Sequence, residues 1–149
     1  MTLVLVTAVI ALILSLMGKL LADLLLTAYV PVLGTFAGLR YVLNPGVAFG
    51  VTFPPLIQWL LVAGAVALVA YGSINARTVF QKIAFGLILG GALGNILDRI
   101  PDGHVTDFVQ VSTFPIFNVA DSCVTVGVAV LAVESLLAAV FKRKGLQKP

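Results

Sequence analysis

Four long apolar runs, separated by short polar or glycine- and proline-rich breaks, set the plan of this chain. The first extends from about Leu3 to Leu26 and carries no charge from Leu3 to Gly18. About 20 apolar residues suffice for a helix to cross the hydrocarbon core of a bilayer, so this run predicts a spanning helix over about 3–26. A cleavable signal peptide is the weaker reading, because no Lys or Arg precedes the apolar stretch and the run outlasts the usual apolar region of such a segment. The later runs predict spans over about 56–74, 82–97 and 119–141. Gln58 and Trp59 stand at the start of the second, where a Trp suits the interfacial aromatic belt. Gly86, Gly90 and Gly94 recur every four residues in the third, giving one helix face on which another backbone can come close. Asn118 occupies the position of an N-cap for the fourth.

The breaks differ from one another. Residues 73–81 (SINARTVFQ) are polar and few, which suits a tight connection between helices. Residues 31–55 instead combine Gly34, Gly38, Gly46 and Gly50 with several prolines. Side chains alternate around Arg40-Tyr41-Val42-Leu43, and Asn44-Pro45-Gly46 fits a type II turn with Pro at its second and Gly at its third position. Two strands, Thr35–Leu43 and Val47–Phe53, are predicted as a hairpin about that turn. Open strand edges cannot lie in lipid, so the hairpin is expected at the interface on one side. The outer loop over about 98–118 contains a strand-like run, Val105–Val111, whose period of two puts Asp107 on one face with Val105 and Val109.

Composition strengthens the membrane reading. Of 149 residues, 60% are hydrophobic, only 10% are charged, and the mean hydropathy is +1.14. Soluble domains carry about a quarter charged residues. The expected fold is therefore membrane all-α, a single integral domain over 1–149 with four transmembrane helices and a small extracytoplasmic β-hairpin or cradle. The net charge of +3 does not indicate nucleic-acid binding. Lys142, Arg143, Lys144 and Lys148 cluster in a basic, disordered-looking tail, and Arg77 and Lys82 flank the short break, which is how topology signals are distributed. Four spans then place both termini and residues 73–81 in the cytoplasm and the hairpin outside. A single cysteine, Cys123, excludes an intrachain disulfide and a cysteine-based metal cluster.

Four of the six acidic residues (Asp98, Asp102, Asp107 and Asp121) fall within the short stretch from Gly90 to Asp121. Charge at a membrane boundary is costly and usually marks a site. Asn44, Asn95, Arg99 and Asn118 are the other polar groups expected on that side. Two carboxylates held close share a proton, so one can activate water as a base while the other donates as an acid. Spacing alone does not select the pair. Asp98 beside Arg99 reads as an ion-paired orienter and Asp102, in Pro101-Asp102-Gly103, as a turn residue, which leaves Asp107 and Asp121. A metal site is disfavoured because His104 is the only imidazole. Lys19 and Asp23 share a helix face four residues apart and read as a structural pair. Cys123 reads as a packing residue. Glu134 lies about 20 Å along the helix from Asp121, too far to act on the same atoms. An ion carrier would need polar groups through the whole membrane depth, which the apolar middles of the second and fourth spans lack.

Four blocks, Asn44-Pro45-Gly46-Val47-Ala48-Phe49-Gly50, Gly91-Ala92-Leu93-Gly94-Asn95-Ile96-Leu97-Asp98-Arg99, Val105-Thr106-Asp107-Phe108 and Phe117-Asn118-Val119-Ala120-Asp121, together resemble the lipoprotein signal peptidase (signal peptidase II) family in content and order. The resemblance covers about Leu16 to Phe141. It implies an aspartic endopeptidase of the bacterial cytoplasmic (inner) membrane that removes the signal peptide from diacylglyceryl-modified prolipoproteins, just before the lipidated cysteine. By motif, Asp107 and Asp121 would be catalytic, and Asn44, Gly46, Asn95, Asp98, Arg99 and Asn118 would support substrate and dyad. No cofactor or metal, no nucleic acid, contact with membrane lipids and action as a monomer are expected. A non-catalytic lipid or lipoprotein binder is the rival that keeps the fold. Two departures stand out. The family's usual Asp-Gln ahead of the first-span lysine is Ser15-Leu16 here, with Lys19 kept and Asp23 placed to substitute, and the segment from Asp107 to Asp121 is shorter than usual.

Overall fold

The computed structural model describes residues 1–46 and 51–143. Four helices are long and apolar enough to cross a membrane: α1 (Thr2–Leu25), α2 (Pro55–Ile74), α3 (Val79–Arg99) and α4 (Val119–Arg143). They turn their large apolar side chains outward. Leu5, Ile13, Leu24, Leu60, Leu68, Phe80, Val128 and Leu136 are all exposed, as the helices of a membrane protein are when lipid is their solvent.

Packing inside the bundle relies on small residues. A Cβ added at Gly86 would lie 2.6 Å from Thr7 Cβ and 2.7 Å from the Val4 carbonyl, and one at Gly90 would collide with the Ala8 carbonyl. At Gly94 it would meet Ser15 Cβ at 2.7 Å. The expected glycine face of α3 is therefore the seat of α1. Gly91, a quarter-turn round, takes α4 in the same way, with the Ala120 carbonyl 2.5 Å from its missing Cβ. These contacts make α3 the central post of the bundle, with α1 and α4 drawn against it.

The helix starts follow from local chemistry. Thr78 caps α3 in a reciprocal capping box: its hydroxyl accepts from the Gln81 amide, and the Gln81 side chain reaches back to the Thr78 amide. This box starts α3 at Val79, ahead of the Lys82 suggested by the apolar run. Pro55 opens α2 at a first-turn position whose amide would have no partner anyway.

Three antiparallel strands, β1 (Val30–Leu33), β2 (Ala37–Asn44) and β3 (Val105–Val111), form one sheet in the order β1-β2-β3. The small sheet matches the predicted cradle, but its pairing differs from the hairpin expected about Asn44-Pro45-Gly46. β2 turns back onto the preceding β1 through a tight turn at Gly34 (φ +56), a left-handed conformation that glycine adopts without strain. Its other edge takes β3, more than sixty residues later. Of the expected partner strand Val47–Phe53, residues 47–50 lie outside the described residues, and Thr52 and Phe53 are irregular. The expected tail lies, from residue 144 on, outside the described residues as well.

Candidate active site

The sheet and the helix ends around it converge on one cluster. β3 enters it directly after α3, with Val42 of β2 opposite Asp107 and Asn44 opposite Val105. Asn44 is therefore a diagonal neighbour of Asp107 on the same face, and its Nδ2 donates to Asp107 Oδ2 at 2.8 Å. The far edge of β3 bridges Val109 to Phe117, each amide donating to the other's carbonyl. That bridge brings Asn118 beside Asp107, where Asn118 Nδ2 donates to Asp107 Oδ1 at 2.9 Å.

Asn118 also begins α4. Its Oδ1 accepts the Asp121 amide at 2.9 Å, and its own amide donates to Asp121 Oδ2 at 3.2 Å. This is a capping box built from Asn and Asp. Asp121 sits in the first turn, where the helix dipole favours a negative charge. Asn95 from α3 closes the network: its Nδ2 donates to Asp121 Oδ1 at 2.7 Å, and its Oδ1 accepts from Asn118 Nδ2 at 3.0 Å. Each carboxylate thus has one donor on each oxygen, and Asn118 links the two.

Alternation along β3 separates two surroundings. Val105 and Asp107 line a groove of about 890 Å³ between α2, α3 and α4, into which Asp121, Asn44, Asn95 and Arg99 also project. Away from the polar end the groove is apolar, lined by Leu61, Val69, Leu89 and Val126. Phe114 and Phe117 from the short β3–α4 loop border its polar end and meet edge to face. The alternate residues Thr106 and Phe108 face α1, near Lys19 and Asp98.

Asp107 is only 2% exposed. Burial, with the Asp121 and Asp98 charges adding to it, pushes its carboxyl up to about 6, against the opposing pull of the Asn44 and Asn118 amides. Below that pH Asp107 holds a proton. The arrangement offers a proton donor and a proton acceptor beside an apolar groove, the requirement for activating water against a carbonyl. No group of three or more metal-ligating side chains occurs among the described residues.

All eight side chains or backbone groups singled out in the sequence gather here, with two revised contacts. Asp98 pairs with Lys19 of α1 at 3.3 Å rather than with Arg99, and its other oxygen takes the Thr106 amide at 2.6 Å. Arg99 instead donates to the Gly46 carbonyl, tying α3 to the turn, while its buried Nε has no acceptor among the described residues. Asn44 Oδ1 accepts the Gly46 amide at 2.8 Å, which fixes the amide group that faces Asp107. Asp102 accepts the His104 amide in an exposed turn, as its Pro-Asp-Gly setting predicts. Three contributors escaped the sequence: Gln58, Tyr41 and Thr106. Gln58 is buried and donates to the Pro45 carbonyl at 3.3 Å, so a polar residue in the first turn of an apolar helix was the available signal.

Fold and site together define an integral membrane protein with one buried and one half-buried carboxylate, joined through Asn118, at one end of a four-helix bundle. Residues 6–137 match the family model described as signal peptidase (SPase) II. The chain is 40% identical over 117 residues to a lipoprotein signal peptidase of Chlorobium luteolum, covering 68% of this chain and 70% of that protein. It is 38% identical over 112 residues to one of Moorella thermoacetica, covering 73% and 75%. A bacterial membrane enzyme solved by the in meso method at 2.3 Å resolution superposes with a TM-score of 0.83 at 26% identity, over 98% of this chain and 94% of that one. A second, solved at 1.9 Å, gives 0.74 at 25% identity over 88% and 92%. The chain belongs to the signal peptidase II family. It is an aspartic endopeptidase of lipoprotein processing, carried by a multi-pass inner-membrane fold.

Proposed function

We propose that Asp107 and Asp121 are the catalytic pair with which this protein removes the signal peptide from diacylglyceryl-modified prolipoproteins, cutting before the lipidated cysteine. The single observation behind this assignment is the network in which Asn118 joins the two carboxylates at the polar end of an apolar groove. The two aspartates sit in unequal settings. Asp121, at a helix N-terminus with a backbone amide on one oxygen, is the ionised base that takes a proton from water. Asp107, buried and raised, holds the shared proton and gives it to the scissile carbonyl oxygen as water adds to the carbon. Collapse of the tetrahedral intermediate breaks the C–N bond: one of its hydroxyls returns a proton to Asp107 as the new carboxyl forms, and the proton held by Asp121 passes to the departing amine of the cysteine.

The supporting groups take separate tasks. Asn44, Asn95 and Asn118 aim the carboxylates, Asp98 anchors the start of β3, and Gly46 receives Arg99, whose remaining donors serve the substrate backbone. The apolar length of the groove receives the lipid-like part of the substrate, which arrives sideways through the bilayer. The distribution of Arg77, Lys82 and the basic C-terminal residues supports cytoplasmic termini and a site at the outer face.

The test uses purified protein in lipid and a diacylglyceryl-modified prolipoprotein, with signal-peptide release followed over time. Asp107→Asn and Asp121→Asn should each lower kcat by about 10²–10⁴-fold, the usual contribution of general acid–base groups. A folded variant of either kind that still cuts well removes that residue from the pair and makes Asp98 the next candidate.

A further inference from the structure

A second set of polar contacts reaches Asp107 from the side away from the groove. Asp23, near the end of α1, accepts from Lys19 Nζ at 2.5 Å on one oxygen and from the Tyr41 hydroxyl at 3.0 Å on the other. Lys19 Nζ lies 3.3 Å from Asp98 Oδ1, and Asp98 Oδ2 holds the amide of Thr106, the residue before Asp107.

Tyr41 owes its direction to a bulge. Leu39 pairs with Val109 and Val42 with Asp107, so Arg40 and Tyr41 together oppose the single residue Phe108. A bulge of this kind re-aims a side chain, and here it turns Tyr41 to α1. The residue that follows, Val42, is the direct partner of Asp107. Two short paths therefore lead from Asp23 to Asp107, one through Tyr41 and β2, the other through Lys19, Asp98 and Thr106.

Both Lys19 and Asp23 are about one third exposed. Ion pairs so open to solvent contribute little to stability, so a role for this contact lies in geometry rather than in holding the fold together. Ser15, one turn before Lys19, is buried with its hydroxyl on the Ala11 carbonyl, and its Cβ lies against Gly94. A small residue there lets α1 close on α3, and the additional carboxylate for Lys19 comes from Asp23, one turn later.

From these contacts we infer that Asp23, acting with Tyr41, is a positioning residue for Asp107. It pins the bulged strand and the Lys19–Asp98 pair to α1, and so fixes the height of β3 and the aim of the Asp107 carboxylate at Asp121. The inference rests on the catalytic reading of Asp107 given above.

The experiment compares the full-length wild type with Asp23→Asn, Asp23→Glu, Tyr41→Phe and the double variant Asp23→Asn/Tyr41→Phe, in lipid with a diacylglyceryl-modified prolipoprotein. Asp107→Asn serves as the inactive control. Asp23→Asn should lower kcat about tenfold, since small misplacements of a reacting group cost one to two orders of magnitude. KM and the thermal unfolding midpoint should stay at wild-type values, and Asp23→Glu should recover most of the rate. The double variant should be no slower than the slower single variant, because Asp23→Asn already breaks the path through Tyr41. Wild-type kcat in Asp23→Asn, or losses that multiply in the double variant, overturn the inference while the Asp107 reading stands. A fall in unfolding midpoint that accounts for the lost rate also overturns it, as a purely structural contact would behave that way. If Asp107→Asn cuts as well as the wild type, the catalytic reading itself fails and this inference with it.

Discussion

Asp107 is held in the folded protein at an energetic cost that depends on pH. Burial raises its carboxyl from the ordinary 3.8 to about 6, so the folded state binds this proton more tightly than the unfolded chain. The stability that the proton contributes is fully present below pH 3.8 and is lost as the pH rises through about 6. At 1.36 kcal/mol per unit, a shift of about two units amounts to about 3 kcal/mol. Asp107→Asn removes the ionisation and with it this cost. The new NH2 group must, however, face one of two donors, Asn44 Nδ2 or Asn118 Nδ2, and a hydrogen bond to a buried group is forfeited at about 1–2 kcal/mol. The variant should therefore be about 1–2 kcal/mol more stable than the wild type at pH 8 and less stable by a similar amount at pH 4. The two stability curves should cross in between. Unfolding of both proteins in the same detergent, measured across that range, checks this directly. Most other charged groups are common to both proteins and cancel in the difference, and a parallel Asp121→Asn series controls for the carboxylate that Asn118 joins to Asp107. A difference independent of pH would refute the reasoning, because it would mean that Asp107 titrates alike in folded and unfolded chains.

Other consequences are open to simpler measurements. The alkaline limb of kcat/KM should fall as the pH rises through about 6, and the corresponding limb of kcat should lie higher, because seated substrate expels water from the groove. Asn118→Ala should lower stability by about 1–2 kcal/mol through loss of the α4 cap, and cleavage should fall further than that loss explains. Gly90→Ala should cost about 1–3 kcal/mol through collision with the Ala8 carbonyl. Gly64→Ala, which meets nothing within 4 Å, should be neutral, and thermal unfolding of the two in one detergent separates them.

The spans were legible in the sequence because bilayer thickness imposes their length, and the glycine spacing in α3 announced a close helix contact. The acidic cluster was legible because an apolar chain has few structural uses for carboxylates. The sheet was not. Pro45-Gly46 offered a local turn, whereas the true partner of β2's far edge is β3, and no local periodicity reports a pairing over such separation. The turn that does join two strands, at Gly34, sits beside a four-residue strand whose every residue is exposed, so β1 shows no alternation to read. The Asp98–Arg99 pairing failed for a helical reason: consecutive residues on a helix point about 100° apart, so neighbours in sequence do not face each other. The true partner, Lys19, stands on another helix.

Asn118 gives the chain a safeguard as well as a site. Its side chain and its backbone amide are both committed, to Asp107, Asn95, and the first turn of α4. The fourth helix cannot begin at its proper residue without drawing Asp121 into place, and Asp121 cannot take that place before the helix begins. A chain whose last span has entered in the wrong register lacks the contacts that join Asp121 to Asp107, and on the proposed roles of the two aspartates it would not cut. On that proposal, cutting would begin only once the fourth span is seated and its cap is formed.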